Sequence, residues 1–407
     1  MSAPEQDVVI AGGGPGGMVL GYLLARAGVT VTVLESHADF DRDFRGDSLH
    51  PYTLELLDQL GLADGLLARD HFKATAFRFH TPKASYSAAS YDRLASRHNY
   101  VALMPQVRFL DYLAEQAAAL PHFTLTTSAK VTELLTGADG TVTGVRHRRG
   151  EITSRLVVGS DGRFSTVRRL ADLPARSLGA TTDILWFRLP RKETDPPDAD
   201  LDLYYGHDSY IGVLGGVHDW QVGYSLAKGD YPRLRERGVE PVQRFVSDHV
   251  PWLADRVHLL TDFAKTTLLS VDISRVDTWY RPGLLLIGDA AHVISPVGGN
   301  GILMAVQDAV AAANHLIPAL RRETVTTDDL AAIQHNRQAA ITKVQAQQVR
   351  VERQSARARA RGRGAAPPAF LRWLFAIPGM RTRAARTNAY GPNPPALDMD
   401  ILLPTKT

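Results

Sequence analysis

The sequence predicts an α/β protein with a Rossmann-like dinucleotide-binding domain, a β-rich domain inserted into it, and C-terminal helices. Three observations carry this. The stretch DVVIAGGGPGGMVLGYLLARAGVTVTVLE (7–35) reads strand, glycine loop, helix, strand, which is a βαβ unit. Residues 72–91 alternate like strands, and 183–226 read as antiparallel strands with tyrosine, tryptophan and glycine, which makes 71–99 and 176–275 β-rich. Beyond Gly299 the pattern is mostly helical.

Taken in order, residues 7–11 are a short apolar run and predict a buried strand; 16–27 predict a helix. TVTVLE (30–35) is β-branched and predicts the second strand. YTLELLDQLGL (52–62) gathers its leucines on one helical face and stops at Gly61. Residues 72–91 alternate like strands, with a turn at Thr81-Pro82, and 105–119 are helical again. Several short strands follow in 123–158, turned at Gly137, Gly140 and Gly150. Residues 183–226 read as antiparallel strands, 261–272 as one more, and LLLIGD (284–289) as a compact apolar strand. The dinucleotide domain is therefore expected in three pieces, 1–70, 100–175 and 276–320. The β-rich domain takes 71–99 and 176–275, and a helical segment takes 321–407. There is no internal repeat.

Composition narrows the function. At 44% hydrophobic and 22% charged residues the chain can bury a large core. A net charge of +3 is too small to argue for nucleic acid. With no cysteine there is no disulfide, cysteine–zinc site, iron–sulfur cluster or thiol nucleophile, and no metal site is predicted. MSAPEQD has none of the marks of a signal peptide. GILMAVQDAVAAANHLIPAL is interrupted by Gln307, Asp308, Asn314 and His315, so no integral membrane segment is expected. A soluble, cytoplasmic monomer or homodimer is the expectation.

Gly12, Gly14 and Gly17 fit G-x-G-x-x-G between strand and helix. The first allows a tight turn, the second a close backbone approach to a pyrophosphate, and the third close packing of helix on strand. The helix N-terminus, with Pro15 and Gly16, turns unpaired N–H groups toward the phosphates. Glu35 ends the second strand, where a carboxylate accepts from ribose hydroxyls and repels a 2′-phosphate. The loop alone does not separate NAD from FAD.

Two later stretches do. LVVGSDGRFSTVRR (156–169) and GLLLIGDAAHVISPVGGNGILMAVQDA (283–309) follow in the order of a known plan. Together with residues 12–17, Glu35, Arg45 in DFRGDSLHP, and Gln106 and Arg108 in MPQVRFLDYL, the chain resembles the FAD-dependent monooxygenases of the p-hydroxybenzoate hydroxylase fold, the single-component aromatic hydroxylases. The resemblance covers about the first 320 residues and implies an FAD-binding domain of the GR2 type. It implies that Asp289 holds a ribityl hydroxyl. Pro296 and the Gly298–Gly301 loop, with Gly299, Asn300, Gly301 and Ile302, would lie against the flavin. The helix that follows would aim its amides at the negative end of the reduced ring. Asp161 would hold a strand–turn–helix beside FAD. Arg45 would reach the pyrophosphate or the flavin edge, and Gln106, with Arg108 beside it, the ribityl or phosphate portion. Pro296 and Arg45 are the residues expected nearest the chemistry. The family commonly carries an asparagine where this chain has Leu303, so no side-chain role transfers to that position.

The activity implied is monooxygenation. NADH or NADPH, bound transiently, reduces FAD, and one atom of O2 enters an aromatic or polyketide-like substrate through a flavin C4a-hydroperoxide. Tyr204, Tyr205, His207, Tyr210, Trp220 and Tyr224 are candidate walls of a substrate site, with Tyr204, Tyr210, Trp220 and Tyr224 taken as contacts. The apolar, aromatic insertion suits a fused-ring substrate over a small charged acid. A flavin reductase or dehydrogenase acting on a lipid or quinone-like substrate is the alternative. The W-x-W-x-I-P stretch of flavin halogenases is absent. The arginine run 350–363, followed by FLRWLF, reads either as a basic interaction module or, preferred here, as a solvated helix packed back on the FAD domain.

Overall fold

The computed structural model describes residues 6–41, 47–296, 298–360, 366–367 and 370–403. Its first layer is a sheet ordered Tyr280–Arg281, Leu284–Leu286, Gly150–Gly159, Gln6–Ala11 (β1), Val31–Leu34 (β2), Phe123–Thr126. All neighbours run parallel except the outermost pair, Tyr280–Arg281 with Leu284–Leu286. Sheets covered on both faces demand apolar runs. Accordingly Val8, Val9, Ile10, Leu156, Val157, Val158 and Leu284–Leu286 are wholly buried. Helix Pro15–Arg26 (α1) packs against helices Gly301–Arg321 and Gln106–Ala118. Gly301–Arg321 is long and apolar enough to cross a membrane, but 78% of its apolar window is buried within the protein.

The second layer is a seven-stranded sheet in the order Thr267–Leu269, Thr182–Pro190, Asp219–Ala227, Tyr210–Gly215, Leu201–Tyr205, Ala76–Thr81, Ala84–Ser90. Both β-rich segments of the sequence thus join one sheet, through a parallel pairing of Leu203 with Phe79. One face packs on helix Glu240–His249 and the 3-10 helix Pro251–Leu259 in a separate apolar core. The β-rich insertion also holds helices in a stretch to which the sequence reading assigns no element. Val242, Val246, Val250 and Leu253 repeat at helical spacing and are buried, so 240–259 is helical. The strand expected over 261–272 is confined to Thr267–Leu269.

Helix Thr327–Ala360 straps the two sheets together with polar side chains. Gln334, Arg337, Gln345, Gln348 and Glu352 lie at three-, four- and eight-residue spacings on one face. Gln345 Nε2 donates to the carbonyls of Ser274 (2.8 Å) and Val293 (3.0 Å). Glu352 accepts from the Thr181 amide (2.9 Å) and hydroxyl (2.7 Å) at the start of the second sheet.

Candidate active site

Four adjacent parallel strands end at one edge, and each delivers a motif there. β1 runs into Gly12, β2 into Glu35, Gly150–Gly159 into Asp161, and Leu284–Leu286 into Gly288-Asp289. The C-terminal edge of such a sheet is where ligands bind in open α/β folds.

At the loop, each glycine has its own geometric cause. Gly12 has φ +109°, and a Cβ there would lie 2.3 Å from the Ser160 carbonyl oxygen. A Cβ on Gly17 would lie 2.1 Å from the Gly12 carbonyl oxygen. Gly16 faces Ala305 of helix Gly301–Arg321, so it serves helix packing. Only Gly14 opens on free space, the side from which a phosphate would approach. Gly14 caps α1 without a side-chain hydrogen bond, and Pro15 follows at the first helical position. The loop therefore leaves helix-end amides for a ligand, and it fits the pyrophosphate of FAD.

Glu35 is almost fully buried. Its Oε2 accepts from the Gly13 amide (3.0 Å) and its Oε1 from the His37 amide (2.9 Å), so the carboxylate braces the loop itself. Asp161 holds a strand–turn–helix, as expected. Its Oδ2 accepts from the amides of Thr166 (2.7 Å) and Val167 (3.1 Å), and its Oδ1 from Ser165 Oγ (2.5 Å). Its Cα backs directly on Gly12.

Gly288 has φ +58°, and its amide donates to Asp308 Oδ2 at 2.9 Å. Asp308 also accepts from His292 Nε2 (2.6 Å) and Arg337 Nε (2.8 Å), and all three side chains are buried. Burial alone would raise this carboxyl. The facing His292 and Arg337 outweigh it and hold the group down at about 2. Asp289 is thus presented from a turn anchored by an ion network that reaches the C-terminal strap.

Residues Gly298 to Ile302 turn through Gly298 (φ +97°) and Gly299 (φ +70°) into helix Gly301–Arg321. Asn300 caps that helix without a side-chain bond, and Gly301 opens on free space. His50 Nε2 donates to the Gly299 carbonyl oxygen (3.2 Å), and Asn388 Nδ2 to that of Gly298 (3.3 Å). Burial lowers the His50 imidazole to about 4, with the Gly299 bond opposing, so it is a neutral donor at physiological pH.

Between this loop and the second sheet lies a cavity of about 130 Å³. Ile184, Trp186, Leu203, Tyr210 and Leu214 form its sheet wall; Pro296, Gly298 and Gly299 form another; Asp47, Ser48 and Gln221 add polar atoms. Gly223 leaves room for the Trp186 ring, which a Cβ would meet at 2.7 Å. Among the described lining residues there is no lysine, arginine or histidine.

A profile of the FAD binding domain matches residues 5–348. The chain belongs to the FAD-dependent monooxygenases. The sequence is 35% identical to 6-methylpretetramide 4-monooxygenase of Streptomyces rimosus over 355 residues, 85% of this chain and 84% of that one. It is 29% identical to a rifampicin monooxygenase of Streptomyces venezuelae, over 74% of this chain and 62% of the other. The fold matches anhydrotetracycline hydroxylase OxyS of Streptomyces rimosus at TM-score 0.71 and 24% identity, covering 94% of this chain and 75% of that one. It also matches PqsL of Pseudomonas aeruginosa at TM-score 0.76 and 21% identity, covering 86% and 98%.

Within this monooxygenase the strand-end motifs share one sheet edge, whereas Arg108, Tyr204, Trp220 and Tyr224 stand away from the cavity. Arg45 lies outside the described residues. Gln106 starts its helix, and its amide donates to Asp47 Oδ1 (3.3 Å). Arg108 donates to the Asp70 carbonyl (2.7 Å) on the outer surface. Of the four tyrosine and tryptophan contacts, Tyr210 alone lines the cavity. Tyr204, Trp220 and Tyr224 project from the other face, into the core with the 240–259 helices. There Trp220 donates to Asp195 (2.7 Å), Tyr204 accepts from Trp252 (3.2 Å), and Tyr224 meets Phe245 edge-on. His207 is at the surface beside Asp208. The residues overlooked, Asp47, Ser48 and His50, all stand in GDSLHP, the stretch read only for Arg45.

Proposed function

We propose that this enzyme hydroxylates a neutral, fused-ring phenolic substrate of polyketide type, with FAD at the strand edge and NADH or NADPH as transient reductant. The observation that carries the reading is the cavity. It is mostly apolar, free of basic side chains among its described lining, and walled on one side by Pro296, Gly298 and Gly299. An apolar wall with a few fixed polar groups suits an aromatic ligand. The names of the relatives, which act on 6-methylpretetramide and rifampicin, support the same class.

When bound, FAD takes a hydride from the nicotinamide and passes one atom of O2 to the substrate, the other leaving as water. The chain's own residues bind and orient. The Gly12–Gly17 turn and the amide end of α1 would receive the pyrophosphate, Glu35 the adenosine ribose, and Asp289 the ribityl chain. The end of helix Gly301–Arg321 would place its partial positive charge near the flavin ring. The second sheet keeps water from the reacting atoms by closing the cavity with Ile184, Trp186 and Leu203. In this reading, segments 1–70, 100–175 and 276–320 form the FAD domain, 71–99 and 176–275 the substrate domain, and 321–407 the helical strap.

The test is direct. The purified protein should be yellow and oxidise NADH or NADPH faster with a polycyclic phenol, consuming O2 and adding one oxygen to the product by mass. Turnover of small benzoates alone would sink the substrate class. Reduction of a substrate without O2 uptake would favour a reductase instead.

A further inference from the structure

We propose that Asp47 is the proton acceptor of the cavity: its carboxylate receives the hydrogen bond of a neutral phenolic hydroxyl and takes that proton as oxygen enters the ring. The inference rests on the reading of the cavity as an aromatic site.

Asp47 stands at the junction of the two sheets. Its Oδ2 accepts from Gln221 Nε2 (2.8 Å), which projects from the second sheet. Its Oδ1 accepts from the Gln106 amide (3.3 Å) at a helix start. Both donors are neutral and fix the carboxyl plane, while each oxygen keeps a lone pair for another donor. The side chain shares the cavity with Pro296, Gly298 and Gly299, the turn expected against the flavin.

The other polar side chains of the wall are otherwise engaged or of the wrong kind. Asp202 is paired with His80 Nε2 (2.7 Å) and accepts from the Asp200 amide (2.8 Å). The Tyr91 hydroxyl donates to Asn388, and burial pushes its phenol, like that of Tyr210, above the usual range, so neither is a base at neutral pH. Asp47 has the needed basicity. Burial raises it to about 6, with Arg188, the Gln106 amide and Gln221 offsetting part of the rise and Asp219 adding to it. Arg188 and Asp219 are the charged groups of the described residues that act on it, and they face each other at 3.6 Å. A base near 6 is ionised at physiological pH yet strong enough to take a proton.

The step balances. The phenol O–H bond breaks toward Asp47, its electron pair forms the ring C=O, and a ring π pair forms the new C–O bond with the oxygen supplied by the flavin reaction. The proton on that carbon passes to the second atom of O2, which leaves as water; its C–H electron pair restores the aromatic ring, and Asp47 returns its proton to the ring oxygen.

The test uses the holoenzyme with 2-naphthol, a neutral two-ring phenol, and 2-methoxynaphthalene, which has no proton to donate. Binding is followed by fluorescence between pH 5 and 8. Because ionised Asp47 accepts the hydroxyl more strongly than its protonated form, the 2-naphthol Kd should weaken as pH falls through about 6, by up to about tenfold at pH 5. The methoxy compound should bind with no pH dependence. Asp47→Asn should abolish the pH dependence for 2-naphthol. Gln221→Leu removes a donor to the carboxylate but keeps the base, so it should move the midpoint upward. A flat 2-naphthol profile in the wild type, a profile that persists in Asp47→Asn, or tighter binding as pH falls would overturn the proposal while the methoxy compound still certifies the cavity. If neither compound binds at any pH, the aromatic-site reading falls and this one with it.

Discussion

At the scale of single residues, the glycine loop allows the sharpest forecast. A methyl group on Gly17 would meet the Gly12 carbonyl oxygen at 2.1 Å, and neither backbone can retreat without unseating α1 from β1. Gly17→Ala should therefore purify colourless or lose FAD on dilution, as read from the visible spectrum. Asp308→Asn tests the buried network. It leaves the Arg337 guanidinium buried without its counter-charge, a change of about 3–5 kcal/mol, and weakens the anchor of the Gly288 turn. The variant should melt well below the wild type and retain FAD poorly. The pH sign follows from a carboxyl held near 2 against an ordinary 3.8. Its contribution is complete above about 4 and is lost as pH falls toward 2, so the gap between wild type and Asp308→Asn should narrow over that window. Gly12, Glu35, Asp161 and Asp289 were legible in the sequence because strand ends and glycine turns have local signatures. Side-chain direction was not. A strand of alternating apolar residues buried on both faces gives no sign of which parity faces the ligand, so Tyr210 and Trp220 looked alike.

At the scale of elements, helix Thr327–Ala360 explains how a polar sequence can be structural. Its glutamines supply hydrogen bonds to backbone carbonyls, among them Ser274 and Val293 of a separate three-stranded sheet. Gln345 is fully buried and satisfies two carbonyls. Gln345→Leu keeps the bulk but strips both acceptors of their partner, which should destabilise by about 2 kcal/mol or more in thermal or denaturant unfolding. The arginines of the same helix behave differently. Arg350, Arg353 and Arg357 are exposed, whereas Arg359 reaches the Thr181 carbonyl at 3.2 Å. Replacing the first three with alanine should change stability by no more than about 0.5 kcal/mol each. Binding to anionic vesicles should be equally absent before and after; vesicle binding that vanished in the triple variant would revive the basic-module reading. The sequence announced the βαβ start and a mostly helical chain after Gly299, without bounds for this helix. It concealed the 240–259 helices, whose valine spacing is helical but short, proline-punctuated and set among strands.

At the scale of the whole molecule, the two sheets meet to make one apolar chamber whose charge is set by Asp47 and Asp202. That charge should select among ligands of one shape. 2-Naphthoate has the two-ring skeleton of 2-naphthol but carries its own carboxylate. Two like charges about 4 Å apart at an effective dielectric of about 20 repel by about 4 kcal/mol. The described lining has no lysine, arginine or histidine to offset this. At pH 8 naphthoate should therefore bind at least about a hundredfold more weakly than 2-naphthol. Acidification should close the gap from both sides. As Asp47 takes up a proton near 6 it stops repelling the anion and accepts less strongly from the phenol, while a simple carboxylate stays ionised to about pH 4. Titration calorimetry across pH 5–8 with the two ligands reads this crossing trend. Equal affinities at pH 8 would mean that the chamber is screened by a cation or open to water, and that discrimination against acids arises somewhere other than in this wall.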